Sequence, residues 1–247
     1  MGSALLSNAT IPGFVVVPSA TQTVTVTTPT ISDSFFIEDF GKRRESRLSP
    51  SVVYNTVDNP QTPRRGMRLT LSSQFTGGPL GGTLNYFRPD IEAIAYIPHT
   101  RKTSLGMRAE VGLIAPFSTT STIDPVTGRS SLPFYLRFYM GGEQQIRGYN
   151  IRAVGPREPS SQSLVGGDKF ALFNAEYYID VMGPVRFLFF FDAGQAYLKG
   201  QKMTLGSAVV STGAELRFIM PVLNVPFRLI YAINPNANPL FAPKRTF

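Results

Sequence analysis

Val185–Tyr197 reads VRFLFFFDAGQAY. Its odd positions, Val185, Phe187, Phe189, Phe191 and Ala193, are apolar, whereas the even side carries Arg186, Asp192 and Gly194. A period of two residues puts successive side chains on opposite faces of a β-strand. The stretch is therefore a strand with one greasy face and one charged face. Just upstream, residues 170–180 repeat the pattern, with Ala171, Phe173, Ala175, Tyr177 and Ile179 opposing Asn174, Glu176 and Asp180. Downstream, Ala214, Leu216, Phe218 and Met220 oppose Glu215 and Arg217, and Phe227, Leu229 and Tyr231 oppose Arg228. Toward the N-terminus, Leu105, Met107, Ala109, Val111 and Leu113 alternate with Gly106, Arg108, Glu110 and Gly112, and Met67, Leu69 and Leu71 alternate with Arg68, Thr70 and Ser72.

With further strands at residues 48–57 and 83–97, the pattern predicts about eight antiparallel strands separated by turn signals such as Asp58-Asn59-Pro60 and GGPLGG at 77–82. A soluble sandwich also alternates apolar and polar residues. Large aromatics on the apolar face, long strands and glycines on the charged face favour instead a barrel with a lipid-facing exterior and a polar lumen. The expected fold is all-β, an antiparallel transmembrane β-barrel. Residues 1–46 are weakly patterned, with a short alternating run at Val24-Thr25-Val26-Thr27, and read as loop or as strands.

Composition narrows the function. No apolar run reaches the ~18 residues of a membrane-spanning helix. Twenty-four basic and sixteen acidic residues give a formal charge of +8, but the longest basic cluster, Lys42-Arg43-Arg44, lies among Glu38, Asp39 and Glu45. That is not the basic stripe with aromatic platforms that nucleic acid requires, so no nucleic-acid partner is expected. Without cysteine and with His99 as the sole histidine, no metal site is expected. Nucleophile-elbow, P-loop and zinc-protease motifs are absent, and the expected set of catalytic residues and cofactors is empty. The N-terminal MGSALLSNAT does not read as a secretory signal, leaving a cytoplasmic protein or an internal piece of a longer precursor.

Between the strands, residues 116–168 form a segment rich in Pro, Gly, Ser and charge, far longer than a hairpin loop and therefore functional rather than connective. It contains GGEQQIRGYN at 141–150. An ionised Asp192 in a confined lumen needs a partner, and the planar guanidinium of Arg147 bridges two acceptors at once. Glu176, in phase on the preceding strand, is the second candidate acceptor. Gly148 lets the backbone turn or approach the wall, Tyr149 is an amphipathic anchor, and Gly141, Gly142 and Gly194 frame the two motifs. The expectation is a loop tucked into the lumen and latched to its wall. Asp192 and Glu176 as a glycosidase pair fit less well: the chain has no Trp to stack a sugar, and an arginine between them keeps both ionised.

The set GGEQQIRGYN, NAEYY, FFFDAGQAY, GAELRF and MPVLNVPFRLIYAINP, with YNTVDNPQTPRRGMRLTLS and the LGG turn upstream, resembles the BamA family of outer-membrane protein assembly factors over residues 48–247. The resemblance implies a sixteen-strand barrel whose arginine loop folds into the lumen, with Arg147 contacting Asp192 and Glu176 on the inner wall. It implies an ATP-independent insertase, working through a weak seam between first and last strands and by local bilayer thinning. It further implies the outer membrane of a Gram-negative-type bacterium, unfolded outer-membrane proteins as clients, and periplasmic chaperones and accessory lipoproteins as partners of the full-length protein. Relative to that pattern, residues 47–247 correspond to a partial C-terminal barrel, without the periplasmic domains and the first half of the barrel. The final LFAPKRTF is too short and Pro-interrupted to be the closing strand, which places both seam strands outside the chain. A two-partner-secretion transporter shares the arginine loop and aspartate strand and is the alternative; a soluble β-protein with a basic ligand groove is the third reading.

Overall fold

The computed structural model describes residues 44–117, 132–158, 162–220, 225–238 and 242–247. The alternating run at 24–27 and most of the 1–46 segment lie outside these residues. The described chain is a single antiparallel sheet of eleven strands in meander order: β1 (Arg47–Leu48), β2 (Ser51–Asn55), β3 (Gly66–Thr76), β4 (Tyr86–Pro98), β5 (Thr103–Leu113), β6 (Ala115–Pro116), β7 (Lys169–Met182), β8 (Val185–Tyr197), β9 (Val209–Met220), β10 (Val225–Ile233) and β11 (Arg245–Thr246).

Three of the eleven, β1, β6 and β11, are two residues long, so eight long strands remain, as the alternation anticipates. The short ones are mostly continuations. β1 and β2 both pair with β3, Leu48 opposite Phe75 and Ser51 opposite Ser72. The break between them falls at Pro50, which has no N–H to give to the ladder but still accepts from Ser73 N–H at 3.1 Å. β6 continues β5 along β4 after Ile114, whose N–H turns aside to the Asp168 carbonyl at 2.7 Å. β11 is an addition: Arg245 and Thr246 pair with Ile233 and Ala232 of β10, so the C-terminal end of LFAPKRTF does join the sheet.

Directly opposed residues of an antiparallel pair share a face. The register therefore builds continuous rows across the sheet. One row runs Asn174, Asp192, Ser211 and another Glu176, Phe190, Gly213, Ala232; these belong to the inner face. On the other face, Leu69, Leu71, Ile91, Val111, Phe173, Phe191, Leu216, Phe227 and Leu229 are exposed, and Phe189 keeps 53% of its surface accessible. A contiguous apolar face of this extent belongs in lipid, not water. Arginine at Phe191, midway along β8, is expected to destabilise the folded protein by about 2–4 kcal/mol; reversible unfolding of the full-length protein in lipid vesicles measures it.

The inner face is not uniformly polar. Phe170, Leu172, Leu188 and Phe190 point inward and are buried, and the long segment between β6 and β7 covers part of them. Its Leu136, Phe138, Met140, Ile146, Tyr149 and Val154 form one apolar cluster with Tyr86, Phe170, Leu172 and Ala196 of the wall. Phe138 packs on Phe170 with ring centroids 4.6 Å apart. Packing of this kind, together with isolated bridges such as Phe138 to Gly167 and Met140 to Val154, holds the segment in place without regular strands.

Candidate functional site: an arginine loop on the inner wall

At the centre of the segment, residues 142–149 close a tight turn. Gly142 N–H donates to the Tyr149 carbonyl at 3.0 Å, and Gly142 and Ile146 form a bridge across it. Ile146 is fully buried in the apolar cluster and lies over Gly194: a Cβ there would come within 3.1 Å of Ile146 Cδ1. A larger residue in the Phe-x-Asp-x-Gly stretch would thus force Ile146 to give by a few tenths of an ångström. Tyr149 packs in the same cluster and is buried, where burial raises its hydroxyl pKa.

Arg147 projects from this turn into a set of acids on three successive strands. Its backbone N–H and its Nε both donate to Asp192 Oδ2, at 3.0 and 2.8 Å, and Nη2 donates to Asp192 Oδ1 at 2.6 Å. Nη1 donates to Glu176 Oε1 at 2.5 Å and to Glu215 Oε2 at 3.1 Å. The guanidinium plane also lies 3.9 Å from the Phe190 ring centroid, an attractive cation–π contact. Arg147 is 2% exposed and Asp192 and Glu215 are 0% exposed. Burial by itself would lower the Arg147 pKa, but its hydrogen bonds to Asp192 and the charges of Glu176, Asp192 and Glu215 prevail and raise it above the ordinary arginine value. It remains a cation.

Glu215 was not a candidate from the sequence, where it stood only as one charged residue on an inward face. It is the hub of the site. Besides Arg147 it accepts from Arg217 Nε at 2.8 Å and from Arg228 Nε and Nη2 at 2.6 and 2.7 Å. Asn174, opposite Asp192, donates to Asp192 Oδ1 and to the Gln145 carbonyl, both at 2.7 Å. Tyr178 donates its hydroxyl to Glu176. Three guanidiniums, Arg147, Arg217 and Arg228, thus balance three carboxylates, Asp192, Glu176 and Glu215. The exposed Glu143 adds a peripheral contact, 3.8 Å from Arg228, and matched charges of this kind make such a dense set of ions tolerable in a confined space.

The turn's carbonyls are held as well. Arg108 Nη1 donates to Gln144 O at 2.9 Å from β5. At the far side, Asn234 Nδ2 and Thr246 Oγ1 donate to Gly148 O at 2.9 and 3.1 Å. Gly148 adopts φ +81°, and a Cβ there would lie 2.7 Å from both Ala232 Cβ and Asn234 Oδ1. Alanine at Gly148 is therefore expected to cost about 1–3 kcal/mol through backbone strain and contact, read as a lower thermal midpoint of the full-length protein.

Chemically the site binds its own loop. Each carboxylate faces an arginine. Among the described residues no group of three His, Cys, Asp or Glu is arranged to hold a metal ion.

An antiparallel sheet with a lipid-type exterior and a loop pinned to its polar interior defines a segment of a transmembrane β-barrel with an inward-folded loop. Residues 21–245 match the Omp85 superfamily domain, and the chain belongs to that superfamily. Among its relatives, the outer membrane protein assembly factor BamA of Nitratidesulfovibrio vulgaris is 31% identical over 195 residues, covering 75% of this chain and 23% of that protein. The sorting and assembly machinery component 50 homolog of Mus musculus is 24% identical over 136 residues, covering 54% of this chain and 26% of that protein. The crystal structure of BamA from Haemophilus ducreyi lacking POTRA domains 1–3 superposes with a TM-score of 0.66 at 19% identity, covering 81% of this chain and 41% of that one. The chain is thus BamA-like barrel sequence, and it spans about a quarter of the length of these curated relatives.

Proposed function

We propose that this chain is part of an outer-membrane protein assembly factor, an insertase for unfolded β-barrel clients, in which Arg147 latches the long loop to the inner wall. The observation that carries the reading is the convergence of Asp192, Glu176 and Glu215, from β8, β7 and β9, on one loop guanidinium. Arg147 does not act on a substrate. It fixes the turn at 142–149, whose carbonyls are gripped from β5 on one side and, on the other, by Asn234 just after β10 and by Thr246 of β11. The loop then acts as a strut that sets the curvature of the wall while the bilayer-facing side engages clients.

The names of the relatives support the activity, outer-membrane residence and client class, and the exposed apolar face supports membrane residence. Accessory lipoproteins and periplasmic chaperones are partners this reading assigns to the full-length protein. Depletion of that protein in its host distinguishes the possibilities. A broad fall in many outer-membrane barrel proteins is expected; loss of a single secreted protein with the others unchanged would identify a two-partner-secretion transporter instead.

A further inference from the structure

The sheet's short-turn end gathers basic residues that the loop site does not use. Three turns meet there: 56–65 between β2 and β3, 99–102 between β4 and β5, and the turn joining β7 to β8. Arg64 Nη2 donates to Thr100 O at 2.8 Å, and Arg186 Nη1 donates to Pro63 O at 3.4 Å. The Asp180 N–H donates to Lys102 O at 2.8 Å. The turns are therefore one connected rim.

Its two carboxylates are already engaged. Asp58 Oδ1 accepts from the backbone N–H groups of Asn59, Arg64 and Arg65 at 2.9, 3.0 and 3.2 Å. Asp180 pairs with Arg186 at 2.7 Å and Arg64 at 3.6 Å. Arg65, Arg101 and Lys102 are exposed, and among the described residues no carboxylate pairs with their side chains.

What lies beside these cations indicates what they meet. Arg65 sits two positions before Met67, in phase with the outward row Met67, Leu69 and Leu71, all exposed. Ile97, Val181 and Met182 are exposed at the same end, Met182 at 78%. Between the apolar rows and the cations, the hydroxyl of Tyr177 is 2.7 Å from His99 Nδ1, which holds an amphipathic ring at the boundary. An apolar face that ends in a belt of this kind and then in unpaired guanidinium and ammonium groups is complementary to acyl chains capped by phosphate.

We propose that this rim is an anchor for anionic phospholipid headgroups, whose phosphate oxygens accept hydrogen bonds from Arg65, Arg101 and Lys102. The anchor rests on the apolar face meeting lipid, not on the assembly activity, and fixes the height of the barrel segment in the leaflet at its short-turn end. To test it, the full-length protein in a zwitterionic detergent is mixed with equal amounts of phosphatidylcholine and phosphatidylglycerol, and retained lipid is counted by native mass spectrometry. In about 0.1 M salt, where screening extends over about 10 Å, phosphatidylglycerol should be enriched. The combined substitution Arg65→Gln, Arg101→Gln, Lys102→Gln should lower that enrichment by about tenfold or more, and about 1 M salt should weaken it in the wild type. Equal retention of the two lipids, or an enrichment that survives the triple substitution, overturns the proposal. So does a photoreactive side chain at position 101 that labels an acidic protein in cells instead of phospholipid. Because client assembly is measured separately, failure here leaves the insertase reading standing, and the converse also holds.

Discussion

Alanine in place of Arg147 in the full-length protein is expected to cost about 3–5 kcal/mol of barrel stability and to lower outer-membrane protein levels in cells. The size follows from what is left behind. Asp192 is 0% exposed, and Arg147 is the cation that meets it; Asn174 remains as its one other side-chain donor. A buried carboxylate left with two neutral donors, the Asn174 amide and the backbone N–H of residue 147, is an uncompensated charge. Lysine should recover only part of the loss, because one ammonium cannot reproduce the fork that reaches Asp192, Glu176 and Glu215 together. Reversal to glutamate should be worse than alanine, since it sets a fourth carboxylate among three. Pairing Arg147→Glu with Asp192→Arg should restore assembly in part, as the exchanged charges can meet again while Glu176 and Glu215 keep their old geometry. Stability is read from thermal or denaturant unfolding in vesicles and function from outer-membrane protein levels on complementation. Unchanged levels with Arg147→Ala would sink the latch.

Glu215→Ala is the second large effect, again of about 3–5 kcal/mol. It removes the acceptor shared by Arg147, Arg217 and Arg228. Three cations would then face two carboxylates in a confined space, one of which, Asp192, is already committed to Arg147. Glu215→Gln keeps the shape and one acceptor oxygen, so it should lie between wild type and alanine. A coupling test separates this from simple loss of packing. If the arginines are destabilised by the missing carboxylate, adding Arg228→Gln to Glu215→Gln should recover part of the loss rather than add to it. Additive losses in the double variant would show that Glu215 acts by filling space and not by charge.

The residues of the site were legible to different degrees for physical reasons. Asp192 and Glu176 announced themselves because each is an acid within a run whose opposite face is wholly apolar, and alternation alone places both on the same side of their strands. Arg147 stood out because glycines frame it in a segment too long to be a hairpin connection. Glu215 carries the same local signature as any charged inward residue. Its role depends on Glu215 lying opposite Leu188 and Ile230, with Phe190 opposite Gly213, so that an acid and an open glycine position fall beside the turn. Nothing near residue 215 in the chain states that register. Asn174 is similar: it became part of the site because it stands opposite Asp192.

The inward aromatics were the other surprise of the fold. Phe190 and Leu188 lie on the charge-bearing face of β8, where a water-filled lumen would not want them. Phe190 is covered by the long segment, lying under the Arg147 guanidinium, and Leu188 is buried in a small cluster with Phe190, Tyr178 and Ala232 of the wall. An apolar pair interrupting the polar side of a strand marks where something folds over it.

What the amino-acid sequence determined by itself is the class of structure: two-faced strands, their number, the face that meets lipid and the identity of the inward charges. Those properties are local, because a strand's side chains alternate by covalent geometry and any window of a few residues reveals them. Which inward charges meet, how residues 132–158 lie against the wall, and how three short turns join into one basic rim were decided only by the tertiary structure. Register and loop path rest on pairings between residues far apart in the chain, and a shift of two residues would preserve every alternating face while breaking every partnership of Arg147.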